Sequence, residues 1–443
     1  MQALEPGTKQ PPYRYRDDAR ILWEHDAGGA LGKLQLELRR FLNSLETHFA
    51  VPLDQLRQET LLLLGLSGGP DSLALAAAFA RVAIHREAPW HCASLSVDHG
   101  WRPESAAEVR AAAALAKELG FSQARVYRLG EPGNNAGSKE KESPGPEARA
   151  RELRWRGLAA TAQDLAREYD CSRAVIVTGH TLDDQAETVL LRLARGASLR
   201  SLGAMAAINR IHPETGLAWR NHEADLDGGN QPTKPQPPHP RTLDGEGKPQ
   251  GGTSRGAVEL WVGRPLLGLR HHDTVAACEQ AGLVPAWDPT NRADGPVRTA
   301  QGEALPRAAL RENVLPALRQ ALGQDPAEAL ARLAQQARQD EAALEEWARA
   351  ALEASWPGKA SWKPSQDLIL QVTGLGKLPE AVLRRVIRLA GQSAGRDAAA
   401  VRQSHLEQVA ALVRQWHGQG SAKLPGLEVS RREGYLHFCP VQE

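Results

Sequence analysis

The stretch Ser67-Gly68-Gly69-Pro70-Asp71-Ser72 sets two glycines and a proline between two hydroxyls, directly after the leucine run 61–64 and before an alanine-rich segment. Two glycines let backbone approach an anion that a Cβ would hold off, and a helix starting at once beyond them offers N–H groups without intrahelical partners. This is the pattern of a phosphate site. It lacks the lysine of a GxxxxGK[ST] loop, so it is not a P-loop NTPase signature. Two further polar clusters carry acids and a histidine: Asp98-His99-Gly100, and the run GHTLDDQAE with His180, Asp183, Asp184 and Glu187. Carboxylates near phosphate most economically hold Mg²⁺, which keeps several waters and needs only one or two protein ligands. Helix capping by Thr181 or Asp183, with acids complementing the helix dipole, is the alternative. Asp183 and Glu187 stand at i and i+4 and share a helix face, with Asp184 directed elsewhere, so at most two of the three acids reach one ligand.

The basic residues that could join this chemistry come in pairs. Arg151 and Arg154 lie one helical turn apart in ARELRW, and Arg307 and Arg311 lie at i and i+4 farther on. Solvated surface charge is the alternative for the first pair. For the second it is pairing with Glu303 and Glu312.

These residues need a scaffold, and the pattern of apolar runs supplies one. Thr60 to Ser67, His91 to Val97, Arg125 to Leu129, Arg173 to Thr178 and Val258 to Val262 read as strands. Helices are expected over Leu73 to His85, Glu104 to Leu119, Glu147 to Tyr169 and Leu182 to Arg195. The alternation predicts an α/β fold, a parallel five-stranded Rossmann-like sheet with helices on both faces and ligands at the carboxyl ends of its strands. All three polar clusters fall at such ends. Leu34, Leu36, Leu38, Phe41, Leu42 and Leu45 recur at roughly helical spacing ahead of the first strand.

The rest of the chain divides accordingly. Residues 1–20 read as a disordered tail, Gly130 to Pro146 as a mobile loop, and 209–256 as a disordered insertion within a first domain of 21–300. Helices follow over Glu303 to Leu322, Pro326 to Ala354, Pro379 to Leu389 and Ala398 to Trp416. They form a mainly helical second domain, 301–443, ending in a small hairpin that turns at Arg432-Glu433-Gly434.

A chain of 443 residues has room for two or three domains and a substantial core. Its net charge of +1 conceals a bias, because only 11 of 54 basic residues are lysine, and arginine's fork suits phosphate and nucleic acid. Cys92, Cys171, Cys278 and Cys439 are far apart and include no CxxC pair, which argues against a disulfide framework, a zinc knuckle or an iron–sulfur site. No apolar run reaches about 18 residues and no signal peptide opens the chain, so the expectation is a soluble, cytoplasmic protein with no membrane partner.

The residues resemble those of the N-type ATP pyrophosphatases (PP-loop superfamily), and within them the tRNA(Ile)-lysidine synthetases. SGGPDS matches the superfamily's SGGxDS loop. The narrower match is an ordered set: SVDHGWRPES, ARELRW, TGHTLDDQAETVLLRLARGASLRSLGAM, RPLL, WDPTN and RAALRENVLPAL, with a terminal LPGLEVSRREGYLHF.

That resemblance implies transfer of AMP from ATP to the C2 oxygen of the wobble cytidine in an isoleucine tRNA with a CAU anticodon. The ε-amine of free L-lysine then displaces AMP to give lysidine. It assigns Ser67, Gly68, Gly69, Pro70, Asp71 and Ser72 to ATP, Asp98 to Mg²⁺ or lysine, and His180, Asp184 and Arg151 to the reacting centre. Arg154, Arg307 and Arg311 are assigned to tRNA or substrate, and a homodimer is a family-level expectation. Trp155 stands where the family usually has Tyr, and Ala308 where Asn normally follows the first arginine. The alternatives are a tRNA thiolase of the same superfamily, which relies on catalytic or cluster-binding cysteines, and an adenylating amide-forming synthetase.

Overall fold

The computed structural model describes residues 28–85, 88–98, 100, 104–129, 146–196, 198–212, 257–286, 292–299, 301–357, 367–394 and 401–441. The expected tail 1–20, all but one residue of the 130–146 loop, positions 213–256 of the expected insertion, and Trp287 to Asn291 lie outside them.

In chain order the elements are α1 (Gly29–Phe49), α2 (Leu53–Glu59), β1 (Thr60–Gly65), α3 (Pro70–Phe79), β2 (His91–Asp98), α4 (Ser105–Glu118), β3 (Gln123–Arg128), α5 (Pro146–Glu168), β4 (Arg173–Val177), α6 (Leu182–Ala194), α7 (Leu199–Leu202), β5 (Ile208–Arg210), β6 (Glu259–Gly263) and α8 (His271–Gln280). After these come α9 (Pro306–Ala309), α10 (Leu315–Leu322), α11 (Ala327–Ser355), β7 (Leu368–Gln371), α12 (Val372–Leu375), α13 (Glu380–Ser393), α14 (Gln403–Arg414), β8 (Ala422–Leu424), β9 (Leu427–Arg432) and β10 (Tyr435–Pro440). A π-helical turn over Ala80–Ile84 extends α3, and another over Leu310–Val314 links α9 to α10.

Backbone contacts divide the chain into two compact units. Of the described residues, the first holds those up to Thr188 and those between Met205 and Ala329; the second holds those between Val189 and Ala204 and those from Leu330 onward. The sheet of the first unit runs β3-β2-β1-β4-β6-β5. Five strands are parallel, as the alternation of strand and helix requires, because each crossover helix returns the chain to the same end of the sheet. The sixth, β5, pairs antiparallel with β6 at the edge. It corrects the five-strand expectation and places residues 208–210 in regular structure at the mouth of the segment read as disordered. Three residues are too few for periodicity to reveal a strand.

β1 has no polar face because it is covered on both sides. Leu62 and Leu64 join the core cluster containing Leu34, Leu73 and Cys278, whereas Leu61 and Leu63 join the opposite one with Ala159, Ala162 and Ile176. A period of two therefore sends alternate leucines into two different cores. Trp155 is buried in the second of these clusters. In α1 the buried stripe is Leu31, Leu34, Leu38, Phe41, Leu42 and Leu45, while Leu36, counted by the sequence with the apolar face, is 44% exposed.

The second unit is not only helical. In place of a lone hairpin it contains a four-stranded antiparallel sheet, β7-β10-β9-β8, covered by residues of α13 and α14 such as Val386, Ile387, Val409 and Leu412. The expected hairpin is β9–β10, with Arg432 opposite Tyr435 and a two-residue turn at Glu433 (φ 48°) and Gly434 (φ 84°). Positive φ at both central residues gives the turn the twist that antiparallel strands favour.

Leu63 is fully buried between Ala93 of β2 and Ile176 of β4. Leu63→Ala should lower the unfolding free energy by about 2–5 kcal/mol, read as a fall in denaturant midpoint at constant slope.

Candidate active site

The glycine loop closes between β1 and α3. Ser67 is exposed and Gly68 adopts φ 85°, a conformation that opposes any side chain. Gly69 is the N-cap of α3 and makes no side-chain capping bond, so the first-turn N–H groups of the helix keep their capacity to bind an anion. The Ser72 hydroxyl is buried and used locally. It donates to the Gly69 carbonyl at 3.0 Å and accepts from the Ser67 N–H at 3.2 Å, so it braces the loop. The Gly68 carbonyl accepts from Ala286 N–H at 3.1 Å, and the Cys278 thiol lies 3.3 Å from the Pro70 carbonyl.

The turn after β4 packs directly on this helix start. A Cβ on Gly179 would stand 2.9 Å from the carbonyl carbon of Asp71 and 3.1 Å from the amide nitrogen of Ser72. Next to it, the partly exposed His180 shares a 2.9 Å hydrogen bond through Nδ1 with the Thr178 hydroxyl. Burial depresses the His180 pKa, Asp184 opposes the shift, and Arg264, Arg151 and Arg154 add to it, so the ring is held neutral. Thus Arg151 and Arg154, on α5, act electrostatically on this end of the sheet.

The acids of α6 have separate duties. Asp184 accepts from the Thr181 N–H at 2.8 Å, capping the helix, and from Arg311 Nη2 at 3.5 Å. Burial raises its pKa, but His180, the Thr181 amide, Arg311 and Arg307 together outweigh that and keep it low. Glu187 is fully buried. Its Oε1 accepts from Arg311 Nε at 2.8 Å, while Oε2 has Arg307 Nη1 at 3.6 Å and no hydrogen bond. Burial, partly countered by Arg311, pushes its pKa up. Asp183 turns the other way, accepting from Arg270 Nε at 3.0 Å and the His271 N–H at 2.7 Å. Asp183 and Glu187 do line one cavity, as i and i+4 predicts, yet Arg311 joins Asp184 to Glu187 at i and i+3. The arginines 307 and 311 therefore do not pair with Glu303 and Glu312.

That cavity holds about 230 Å³ and is lined by residues that include Asp71, Asp183, Glu187, Arg270, His271 and Arg311. Asp71 Oδ1 accepts from His271 Nδ1 at 2.9 Å and from the Thr274 hydroxyl at 2.5 Å. Arg270 also reaches Asp325 at 3.0 Å. Arg270, His271, Thr274 and Asp325 were not singled out in the sequence. The signal for three of them was present, because Arg270 to Thr274 opens a helix just after a strand, as the other polar clusters do. Arg264, the first residue of RPLL, directly follows β6. It donates to the Ala206 carbonyl at 2.8 Å and to Asn209 Oδ1 at 2.6 Å, and burial next to Arg151 lowers its pKa to about 10.

Asp98 is placed at the end of β2 but does not line this cavity. Its Oδ1 accepts from the Gly100 N–H at 2.9 Å and the Ser105 hydroxyl at 2.5 Å, and Oδ2 lies 3.9 Å from Arg128. One oxygen is committed to the turn and the other faces a cation, which is not the donor set of a preformed Mg²⁺ site. The carboxylates at the cavity are likewise matched to arginine or histidine.

A glycine loop at the carboxyl end of a parallel strand, with a basic and acidic cluster at the neighbouring strand end, is the arrangement of a PP-loop enzyme that uses ATP. The PP-loop domain family matches residues 36–216, and the TilS substrate binding domain family matches residues 370–437. Three curated relatives are similar over most of their lengths, all tRNA(Ile)-lysidine synthases. That of Leifsonia xyli subsp. xyli is 37% identical, covering 86% of this chain and 90% of its own. Those of Streptomyces coelicolor, at 34%, and Salinispora tropica, at 37%, each cover 84% of this chain and 83% and 89% of their own. The chain belongs to the tRNA(Ile)-lysidine synthase family, enzymes that form lysidine in isoleucine tRNA using ATP.

Because Gly179 meets backbone rather than a movable side chain, Gly179→Ala should displace the start of α3. The expected result is a loss of about 1–3 kcal/mol in stability with a larger proportional loss of ATP binding, measured by calorimetry on the folded variant.

Proposed function

We propose that the enzyme first joins the α-phosphorus of ATP to the C2 oxygen of the wobble cytidine in a CAU-anticodon isoleucine tRNA, releasing pyrophosphate. Free L-lysine then attacks C2 through its ε-amine; the C2–O bond breaks, AMP leaves, and the amine loses a proton as lysidine forms. The observation that carries this reading is the seating of the glycine loop against the turn that bears His180, which brings an anion-binding helix start and the α6 acids to one end of the sheet.

In this scheme Gly68, Gly69 and the first turn of α3 receive the phosphates, with Ser67 and Ser72 bracing them. Arg311 and Arg307 neutralise Glu187 and Asp184 and face the reacting end. The buried Oε2 of Glu187, without a hydrogen-bond donor, suits an ammonium or amine arriving with substrate. Neutral His180 can donate or accept without adding charge. Mg²⁺, expected with ATP, would contribute charge neutralisation on the phosphates, to which the fixed residues offer N–H groups and guanidinium.

The thiolase alternative meets the state of the cysteines. Burial pushes Cys171 to about 11 and Cys278 to about 12, and it also raises Cys92, so these groups are held as thiols rather than nucleophilic thiolates.

With ATP, Mg²⁺ and radiolabelled lysine, the protein should label an isoleucine tRNA transcript bearing CAU. Asp71→Ala or Ser72→Ala should reduce the rate by at least about 100-fold, or roughly 3 kcal/mol in transition-state stabilisation. No label, together with sulfur incorporation from a sulfide donor, would replace this reading with the thiolase.

A further inference from the structure

His271 opens α8 and is held from two sides. Its backbone N–H donates to Asp183 Oδ2 at 2.7 Å, and its ring Nδ1 lies 2.9 Å from Asp71 Oδ1. An ionised carboxylate only accepts, so Nδ1 is the donor, and any change of protonation takes place at Nε2. Among the described residues nothing bonds to Nε2, although the ring lines the cavity and is 36% exposed. Asp71 in turn is the second residue of α3, within the glycine loop whose helix start carries no side-chain cap. Thr274, one turn along α8, donates to the same Asp71 oxygen and fixes the carboxylate at which the ring is aimed. The arrangement is a carboxylate–imidazole pair whose outer nitrogen is left for something that enters the cavity.

We propose that His271 is a phosphate-contacting residue of the adenylation step, its Nδ1–H fixing Asp71 and its cationic Nε2–H donating to the polyphosphate of ATP and to the pyrophosphate as it departs. This rests on the reading that ATP binds at the Ser67–Ser72 loop. No bond to His271 forms or breaks. The departing pyrophosphate gains negative charge, and a hydrogen-bonding cation preplaced beside it stabilises that charge without reorganisation.

The groups facing the ring set when it is cationic. Asp71 comes from α3, Asp183 and Glu187 from α6, Arg311 from the π turn before α10, and Arg270, His272 and Asp273 flank it along the chain. The hydrogen bond to Asp71 favours the charged form most, burial and Arg311 oppose it, Asp183 assists, and the balance raises the His271 pKa above its ordinary 6.5. Because the folded value is raised, the ring is more than half cationic at pH 6.5, and the cation is lost as pH rises through the folded value. Phosphate binding should weaken in the same direction.

The test is calorimetric binding of α,β-methylene-ATP between pH 6 and 9 by the full-length protein, His271→Arg and His271→Gln. Titration of the ligand itself is common to all three, so the readout is each Kd divided by that of His271→Arg, whose charge is constant. For the unsubstituted protein the ratio should be lowest at pH 6 and rise about tenfold by pH 9, the scale of one charge-assisted hydrogen bond. His271→Gln should show a high, level ratio. A level ratio for the unsubstituted protein, with His271→Gln binding as tightly, would overturn the proposal while leaving the ATP site intact. Failure of all three proteins to bind would overturn the ATP site and the proposal together.

Discussion

The close approach of the Gly179 backbone to Asp71 and Ser72 is the contact on which the site depends. It exists because β1 and β4 are adjacent and in register, Leu64 opposite Val177, so the turns that leave their carboxyl ends emerge side by side. The register in turn is held by side chains that alternate between two cores, Leu62, Leu64, Val175 and Val177 in one and Leu61, Leu63 and Ile176 in the other. Shifting β1 by one residue would send each leucine to the wrong layer and withdraw the glycine loop from its neighbour. Hydrophobic patterning in the sheet thus fixes the spacing of polar backbone at its edge.

Charge imposes a second constraint. Glu187 is fully buried, and a carboxylate there would be untenable without cations. Arg311 and Arg307 meet that need from a helix more than a hundred positions later, so the segment around the π turn is bound to α6 electrostatically. Arg270 performs the same service for Asp183 and Asp325. The network is close to balanced, and each side chain in it restrains its neighbours. Balance also explains why the acids make a poor metal cage, since each faces a guanidinium or imidazole.

Much of this was legible in the sequence. The run of leucines, the glycine loop and the polar clusters at strand ends specify a parallel sheet and the end at which the loop and the α6 acids gather, because period and turn chemistry are local properties. Arg311 was picked out by its type and spacing, but its partners were not, since Glu303 and Glu312 are close in sequence and Glu187 is close only in space. Arg270 and His271 are not legible in the same way, because their partners Asp183 and Asp71 are near them only in space. The four-stranded sheet of the second unit read as a hairpin because β7 lies far from its partner, and neither β7 nor β8 is long enough to announce itself.

That separation has a kinetic meaning. β10 is sandwiched between β9 and β7, and β7 precedes it by about sixty residues, a loop whose closure costs entropy before any pairing repays it. During synthesis β7 would leave the ribosome with its apolar residues Leu368 and Leu370 unmatched until β10 emerged. The hairpin that reads most plainly in the sequence is thus the piece for which the rest of the second unit must wait.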